Sequence, residues 1–231
     1  MLAVWFILRG MKLYNYYRSS ASFRVRIALG LKALPFDYAP VNLLTGEQRQ
    51  SAYRAIAPHA QVPLLEVDGQ RLSQSMAIIE YLDETHPEPP LLPTDPLGRA
   101  QVRALAQSIA CEIHPLNNLR VLKYLVGPLG QDEATKLTWY RHWVREGLES
   151  FERQLRALDT VREHMGWEDS LYCYGTSPTL ADCVLVPQIF NAQRFDTPLG
   201  GLPRTMAAFE ACMQLAAFQK AQPSACPDFV A

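Results

Sequence analysis

Three serines and an arginine, Ser19, Ser20, Ser22 and Arg24, cluster where the aromatic-rich run Met11-Lys12-Leu13-Tyr14-Asn15-Tyr16-Tyr17 gives way to a helical pattern. Phe23, Ile27 and Leu31 recur at helical spacing, as do Val25, Ala28 and Leu29, so a strand is followed by a helix with a broad apolar face. A helix start gathers unpaired N–H groups and the positive end of the dipole, and therefore favours an anion. A hydroxyl placed there can also donate a hydrogen bond to a thiolate. Capping the helix would occupy one serine, not three.

Two further positions have the chemistry to meet a small ligand, and a third joins them only in their company. Pro63 follows Val62 at the head of an apolar strand pattern. A proline there is an edge residue or a cis-proline, and in the second case Val62 offers its N–H and C=O to a peptide-like ligand as a short added strand. Gln74-Ser75 opens a second helical pattern carrying Met76, Ile78, Ile79, Tyr81 and Leu82 inward. Ser75 reads as its cap, and the free N–H groups beside it can bind a carboxylate. Gln48 carries no chemistry taken alone.

The elements that must position these residues follow from periodicity and turn signals. The first half reads as a strand near 11–17, a helix near 20–31, a strand near 36–43, a helix near 47–56 and a strand over 62–67. Asp68-Gly69 is a two-residue hairpin signal that returns the chain as the strand 70–73, before the helix through 76–85. The order βαβ–α–ββ–α is the thioredoxin-like arrangement. Five prolines within 87–96 exclude a helix or central strand and mark a linker. Beyond it, amphipathic stretches near 97–126, 133–160, 179–193 and 203–219 predict an all-helical second half. The fold class is therefore α/β plus all-α: a domain over 11–86, the linker 87–96 and a helical domain over 97–231. Residues 1–10 resemble a signal peptide but lack its basic start and small-residue cleavage site, and read as an extension or upstream start before Met11.

Composition narrows the function classes. Among 231 residues, 22 are Lys or Arg and 23 Asp or Glu, which argues against a nucleic-acid partner. No apolar run approaches the roughly 20 residues that span a bilayer, so no membrane is expected. Five cysteines without a C-x-x-C pair point to a reducing cytoplasm rather than to a disulfide framework or zinc site. His59, His86, His142 and His164 read as surface residues, and His114, before Pro115, as the one near a site. No His, Cys and Asp spacing suggests a metal.

Taken together and in order, these motifs resemble the glutathione-binding domain of cytosolic glutathione transferases, and in particular the zeta class, which includes the maleylacetoacetate isomerases. The resemblance rests on Ser19-Ser20-Ala21-Ser22-Phe23-Arg24-Val25-Arg26-Ile27-Ala28-Leu29, on Gln61-Val62-Pro63 and on Gln74-Ser75-Met76-Ala77-Ile78-Ile79-Glu80-Tyr81-Leu82. It continues through Ile113-His114-Pro115-Leu116-Asn117-Asn118, Thr179-Leu180-Ala181-Asp182 and Val186-Pro187-Gln188-Ile189-Phe190-Asn191-Ala192-Gln193-Arg194-Phe195. It implies that Ser19 donates its hydroxyl to the glutathione sulfur, with Ser20 and Arg24 in support. Gln48, Val62 and Pro63 would hold the tripeptide backbone, Gln74 and Ser75 its γ-glutamyl end, and His114 and Asn118 would be second-domain contacts. Thr179 and Asp182 fit a buried capping box. At Ala21, where many relatives carry cysteine, no protein thiol is available, which leaves glutathione as the sole nucleophile.

The implied reaction is thiolate addition to the cis double bond of maleylacetoacetate, rotation about the resulting single bond, and elimination to fumarylacetoacetate. A thiol with a pKa of about 8.5 is only a few per cent ionised at neutral pH. Lowering it by about 2 units, worth about 2.7 kcal/mol, makes most of it nucleophilic. For the dicarboxylate substrate, Arg18, Arg120 and Arg194 are the candidate clamps, since a planar guanidinium binds both carboxylate oxygens. Arg26 reads as a solvated surface residue. Maleylpyruvate isomerisation, general conjugation or dehalogenation, and a non-enzymatic module are the alternatives. Leu119-Arg120, where the maleylpyruvate branch tends to carry paired arginines, favours maleylacetoacetate. The resemblance also implies a homodimer.

Overall fold

The computed structural model describes residues 10–230. The extension read over 1–10 therefore lies, apart from Gly10, outside the described residues. The chain divides into two units: one runs to Pro89 and takes up the chain again from Lys220, and the other spans Pro90–Gln219.

The first unit is built on four short strands, β1 (Met11–Asn15), β2 (Phe36–Pro40), β3 (Leu64–Val67) and β4 (Gln70–Ser73), in the order β2-β1-β3-β4. β1 pairs parallel with β2, which requires the crossover helix α1 (Ser20–Leu31), and antiparallel with β3. In β1 the alternate residues Met11, Leu13 and Asn15 are buried. β3 and β4 form the hairpin, with Asp68 at φ 50° and Gly69 at φ 75°, the two positive angles that a tight primed turn demands. The segment expected to be helical over 47–56 is only a 3₁₀ turn (Glu47–Arg49) and the single turn α2 (Ser51–Arg54). α3 (Ser75–Thr85) packs against α1, with Ile27, Ile78 and Leu82 fully buried.

The second unit is helical: α4 (Pro96–Gln107), α5 (Leu119–Val126), α6 (Glu133–His164), α7 (Leu180–Arg194) and α8 (Pro203–Met213), with α9 (Ala216–Ala221) carrying the chain back towards the first unit's sequence. Pro96, at the end of the expected linker, is the first residue of α4, where its missing N–H costs nothing, and Asp95 accepts from Gly98 N at 2.6 Å. The amphipathic run near 97–126 is not one helix. It passes through a π turn (Ser108–Ile113) and a 3₁₀ turn (His114–Asn117) before α5 begins, because Pro115 cannot supply the N–H a continuous helix needs. α6 buries Val144, Leu148, Phe151 and Leu155 along one stripe, and α7 is buried continuously from Leu180 to Ile189. α7 starts on the expected box: Asp182 Oδ2 accepts from Thr179 N at 2.7 Å and Oδ1 from Cys173 N at 2.8 Å.

Sequence patterning alone groups the last dozen residues with the helices. The structure returns them to the first unit, where their partners are Tyr17, Arg26 and Tyr38.

Candidate active site

β1 ends at Asn15, and a turn of four residues leads into α1, closed by Ser19 N donating to Tyr16 O at 2.9 Å. Ser19 is the N-cap, with extended backbone (φ −70°, ψ 113°), and its Oγ accepts from Ser22 N at 3.2 Å. A serine hydroxyl has one proton and two lone pairs. Capping uses a lone pair, so the proton remains to be donated, and Ser19 is partly exposed. Capping and thiolate stabilisation are thus compatible uses of one atom. Ser20 and Ser22 are buried.

Four tyrosines of this unit are poorer donors. Tyr17 OH donates to Val230 O at 3.4 Å, Tyr53 OH to Gln61 O at 2.8 Å and Tyr38 OH to Asp228. The Tyr16 hydroxyl is buried, and burial, reinforced by Tyr17, pushes its pKa up to about 12.

Arg24, buried on α1, donates from Nη1 to Ser75 Oγ at 3.3 Å and so ties the first helix to the first residue of α3. Ser75 is not the cap that the sequence suggests. Gln74 occupies that position at φ 71°, ψ 114°, and its exposed side chain makes no capping bond. An L-residue in so sparse a region costs about 1–3 kcal/mol. The Val62–Pro63 peptide is cis, and β3 enters the sheet only at Leu64, opposite Tyr14 and Ser73. Val62 stands just ahead of that ladder and packs against Tyr16, Tyr17 and Cys226. Gln48 is buried in the 3₁₀ turn, and its Oε1 meets no hydrogen-bond partner among the described residues. A buried acceptor left unmet costs about 1–3 kcal/mol, so the position suits a ligand bringing its own N–H. The residues present therefore fit a small peptide: an amide-seeking acceptor at Gln48, a helix start at Ser75 for a carboxylate, and a hydroxyl proton at Ser19.

Within the second unit, Asn118 caps α5 through Arg120 N at 3.1 Å, and its Nδ2 lies 3.5 Å from His114 Nε2. Arg120 is exposed in the first turn of α5. Arg194, exposed at the end of α7, lies over the Phe195 ring at 5.1 Å. That ring sits 4.2 Å from Tyr140, whose phenol burial pushes upward while the Arg194 charge draws it back. Arg18, in the first unit, lies over Tyr17 at 5.1 Å.

Two arginines were misjudged or missed from sequence. Arg26, expected to be solvated, is 4% exposed; it donates to Asn15 Oδ1 at 3.0 Å, to Tyr16 O at 3.5 Å, to Tyr17 O at 3.1 Å and to Ala221 O at 3.0 Å. From Ser22 to Leu29 every residue of α1 is buried, so the helix has no polar face on which an arginine could rest. Arg141 donates from Nε to Phe195 O at 2.9 Å and braces the turn after Arg194. Nothing in its local sequence marks it.

A thioredoxin-like unit with a serine hydroxyl at its first helix start and a cis-proline just ahead of β3 points to the glutathione transferase class. Residues 13–90 match the family "Glutathione S-transferase, N-terminal domain". A maleylpyruvate isomerase from Ralstonia sp. is 45% identical over 94% of this chain and 99% of its own length. A maleylacetoacetate isomerase from Pseudomonas aeruginosa is 45% identical over 94% and 98%. Among solved structures, the holo form of a bacterial zeta-class maleylpyruvate isomerase superposes with a TM-score of 0.89 at 44% identity, covering 95% of this chain and all of that one. A maleylacetoacetate isomerase from Anaeromyxobacter dehalogenans, holding dicarboxyethyl glutathione and citrate, gives 0.82 at 41% identity over 96% and 98%. The chain belongs to the zeta-class glutathione transferase family.

Proposed function

We propose that this protein is a glutathione-dependent cis–trans isomerase of maleyl dicarboxylates, with maleylacetoacetate as substrate. The observation that carries the reading is the Ser19 hydroxyl, which caps α1 with a lone pair and keeps its proton for a bound sulfur. When bound, glutathione supplies the thiolate that adds to the cis double bond and is expelled after rotation.

The residues divide the work. Ser19 donates its proton to the sulfur as a hydrogen bond, at the positive end of α1, and both effects favour the thiolate. Ser20 and Arg24 hold the start of α1 and the Ser75 hydroxyl in place, as the Arg24–Ser75 bond supports. Ser75, the N–H groups of α3 and the Gln74 side chain take the γ-glutamyl end, Val62 before Pro63 takes the peptide backbone, and Gln48 Oε1 accepts a ligand N–H. The family resemblance assigns glutathione contacts to His114 and Asn118 as well. Arg18, Arg120 and Arg194 bind the two carboxylates and offset the negative charge that builds on the substrate's carbonyl oxygen. The relative bound to dicarboxyethyl glutathione and citrate supports a site for acidic ligands in this family.

Maleylpyruvate is the second reading, supported by relatives of either name at the same 45% identity. The assay that tests the proposal follows loss of the maleyl chromophore for both substrates, with and without glutathione. Turnover of maleylacetoacetate only when glutathione is present supports the reading; aryl-halide conjugation without isomerisation replaces it. We also assign the protein to the cytoplasm, to tyrosine and aromatic-acid catabolism, and to a homodimeric state. The five free cysteines fit a reducing compartment. Among the described residues no helix is long and apolar enough to cross a membrane.

A further inference from the structure

We propose that Asp228, near the C-terminus, is a positioning residue for Ser19, acting through the turn that connects β1 to α1. This deepens the role given to Ser19 above and rests on it. The turn lies beyond the sheet ladder, since β1 pairs only as far as Asn15, so its polar groups need other partners. Asp228 provides one: its Oδ2 accepts from Tyr17 N at 3.2 Å, while its Oδ1 accepts from Tyr38 OH on β2. The carbonyls on either side of that amide, Tyr16 O and Tyr17 O, both accept from the buried Arg26. Tyr16 O also accepts from Ser19 N, so the chain that holds Asp228 and Arg26 ends one hydrogen bond from the proposed sulfur ligand.

The segment around Asp228 is itself fixed. Phe229 N donates to Cys226 O at 3.1 Å, Cys226 packs against Tyr16 and Tyr17, and the Phe229 ring stands edge-on to Tyr17 at 5.6 Å. Arg26 reaches Ala221 O, so the same guanidinium clamps the turn and the root of the segment. Val62 packs on the same Tyr16–Tyr17–Cys226 cluster, so one of the residues assigned to glutathione touches the clasp. A tail serving only to cover the sheet edge would not need a carboxylate shared between a turn amide and a phenol. Such sharing fixes the turn's height and tilt relative to β2, and a hydrogen bond from Ser19 to a sulfur is sensitive to both.

The test compares Asp228→Ala with Asp228→Asn in the full chain. Asparagine keeps an acceptor for Tyr17 N but cannot accept from both Tyr17 N and Tyr38 OH through two carboxylate oxygens. Without ligand, hydrogen exchange of the amides at 17–22 should rise about tenfold in Asp228→Ala, less in Asp228→Asn, and stay unchanged in α3. With glutathione bound, the thiol titration should move up by about 1 unit in Asp228→Ala, lowering kcat about threefold at neutral pH while KM for the dicarboxylate holds within about twofold. Unchanged exchange at 17–22, or raised exchange with an unmoved titration in a protein whose Ser19→Ala variant does shift it, overturns the inference. If Ser19→Ala shifts nothing, the Ser19 reading fails, and the exchange result alone decides whether Asp228 sets the turn.

Discussion

At Gln74 the backbone stands at φ 71°, ψ 114°, in a region that side chains avoid, and the side chain is left out of the cap it could have made. The strain has a use if the side chain and the following N–H groups face a ligand. Gln74→Gly should stabilise the fold by about 1 kcal/mol, seen as a raised denaturant midpoint, while glutathione affinity by calorimetry falls about tenfold. A loss of both would mean that the side chain supports the fold instead. Arg194 is exposed and lies over the Phe195 ring. Arg194→Ala should raise KM for the dicarboxylate about tenfold, with a neutral electrophile nearly unaffected. Equal effects on both would remove it from the clamp.

At the scale of elements, helix starts organise both units. α1 is capped by Ser19, α7 by Asp182, and α8 by a carboxylate from another helix: Glu152 of α6 accepts from Thr205 N and Thr205 Oγ1 at 2.8 Å and from Arg204 N at 3.2 Å. Burial alone would raise the Glu152 carboxyl. The bonds from Thr205, Arg156 and Arg204 together outweigh it and hold the group below its ordinary value. A depressed folded-state pKa stabilises above the unfolded value of about 4.3, and that contribution fades as pH falls through the folded value. Glu152→Gln should therefore cost about 1–3 kcal/mol at neutral pH and flatten the acid limb of the stability profile. A thermal-melt series between neutral and acid pH measures this; parallel acid limbs in both proteins would contradict it. Apart from the cap expected at Ser75, local caps and turns were legible because their partners are three residues away or fewer: Ser19 with Ser22, Thr179 with Asp182, Asp68 with Gly69. The Glu152 cap reaches across 53 residues and the Asp228 contact across 211, and no periodicity encodes such pairs. Arg26 was misread for the same reason, since its acceptors are backbone carbonyls set by topology rather than by neighbouring residue types.

For the whole molecule, 22 basic against 23 acidic residues leave no general field to attract an anion. The proposed charge recognition is local, at two helix starts and a few arginines, on a fold whose order of elements was readable from the chain. What the chain did not reveal was where its end belongs: the residues from Lys220 rejoin the first unit and brace the turn that carries Ser19. The direct test of the account is the ionisation of bound glutathione, followed by thiolate absorbance against pH in the native protein and in Ser19→Ala. We predict a native titration about 2 units below that of the free thiol and a return of about 1–2 units in the variant. Identical titrations in the two proteins would contradict the assignment of Ser19 as the group that keeps the sulfur charged.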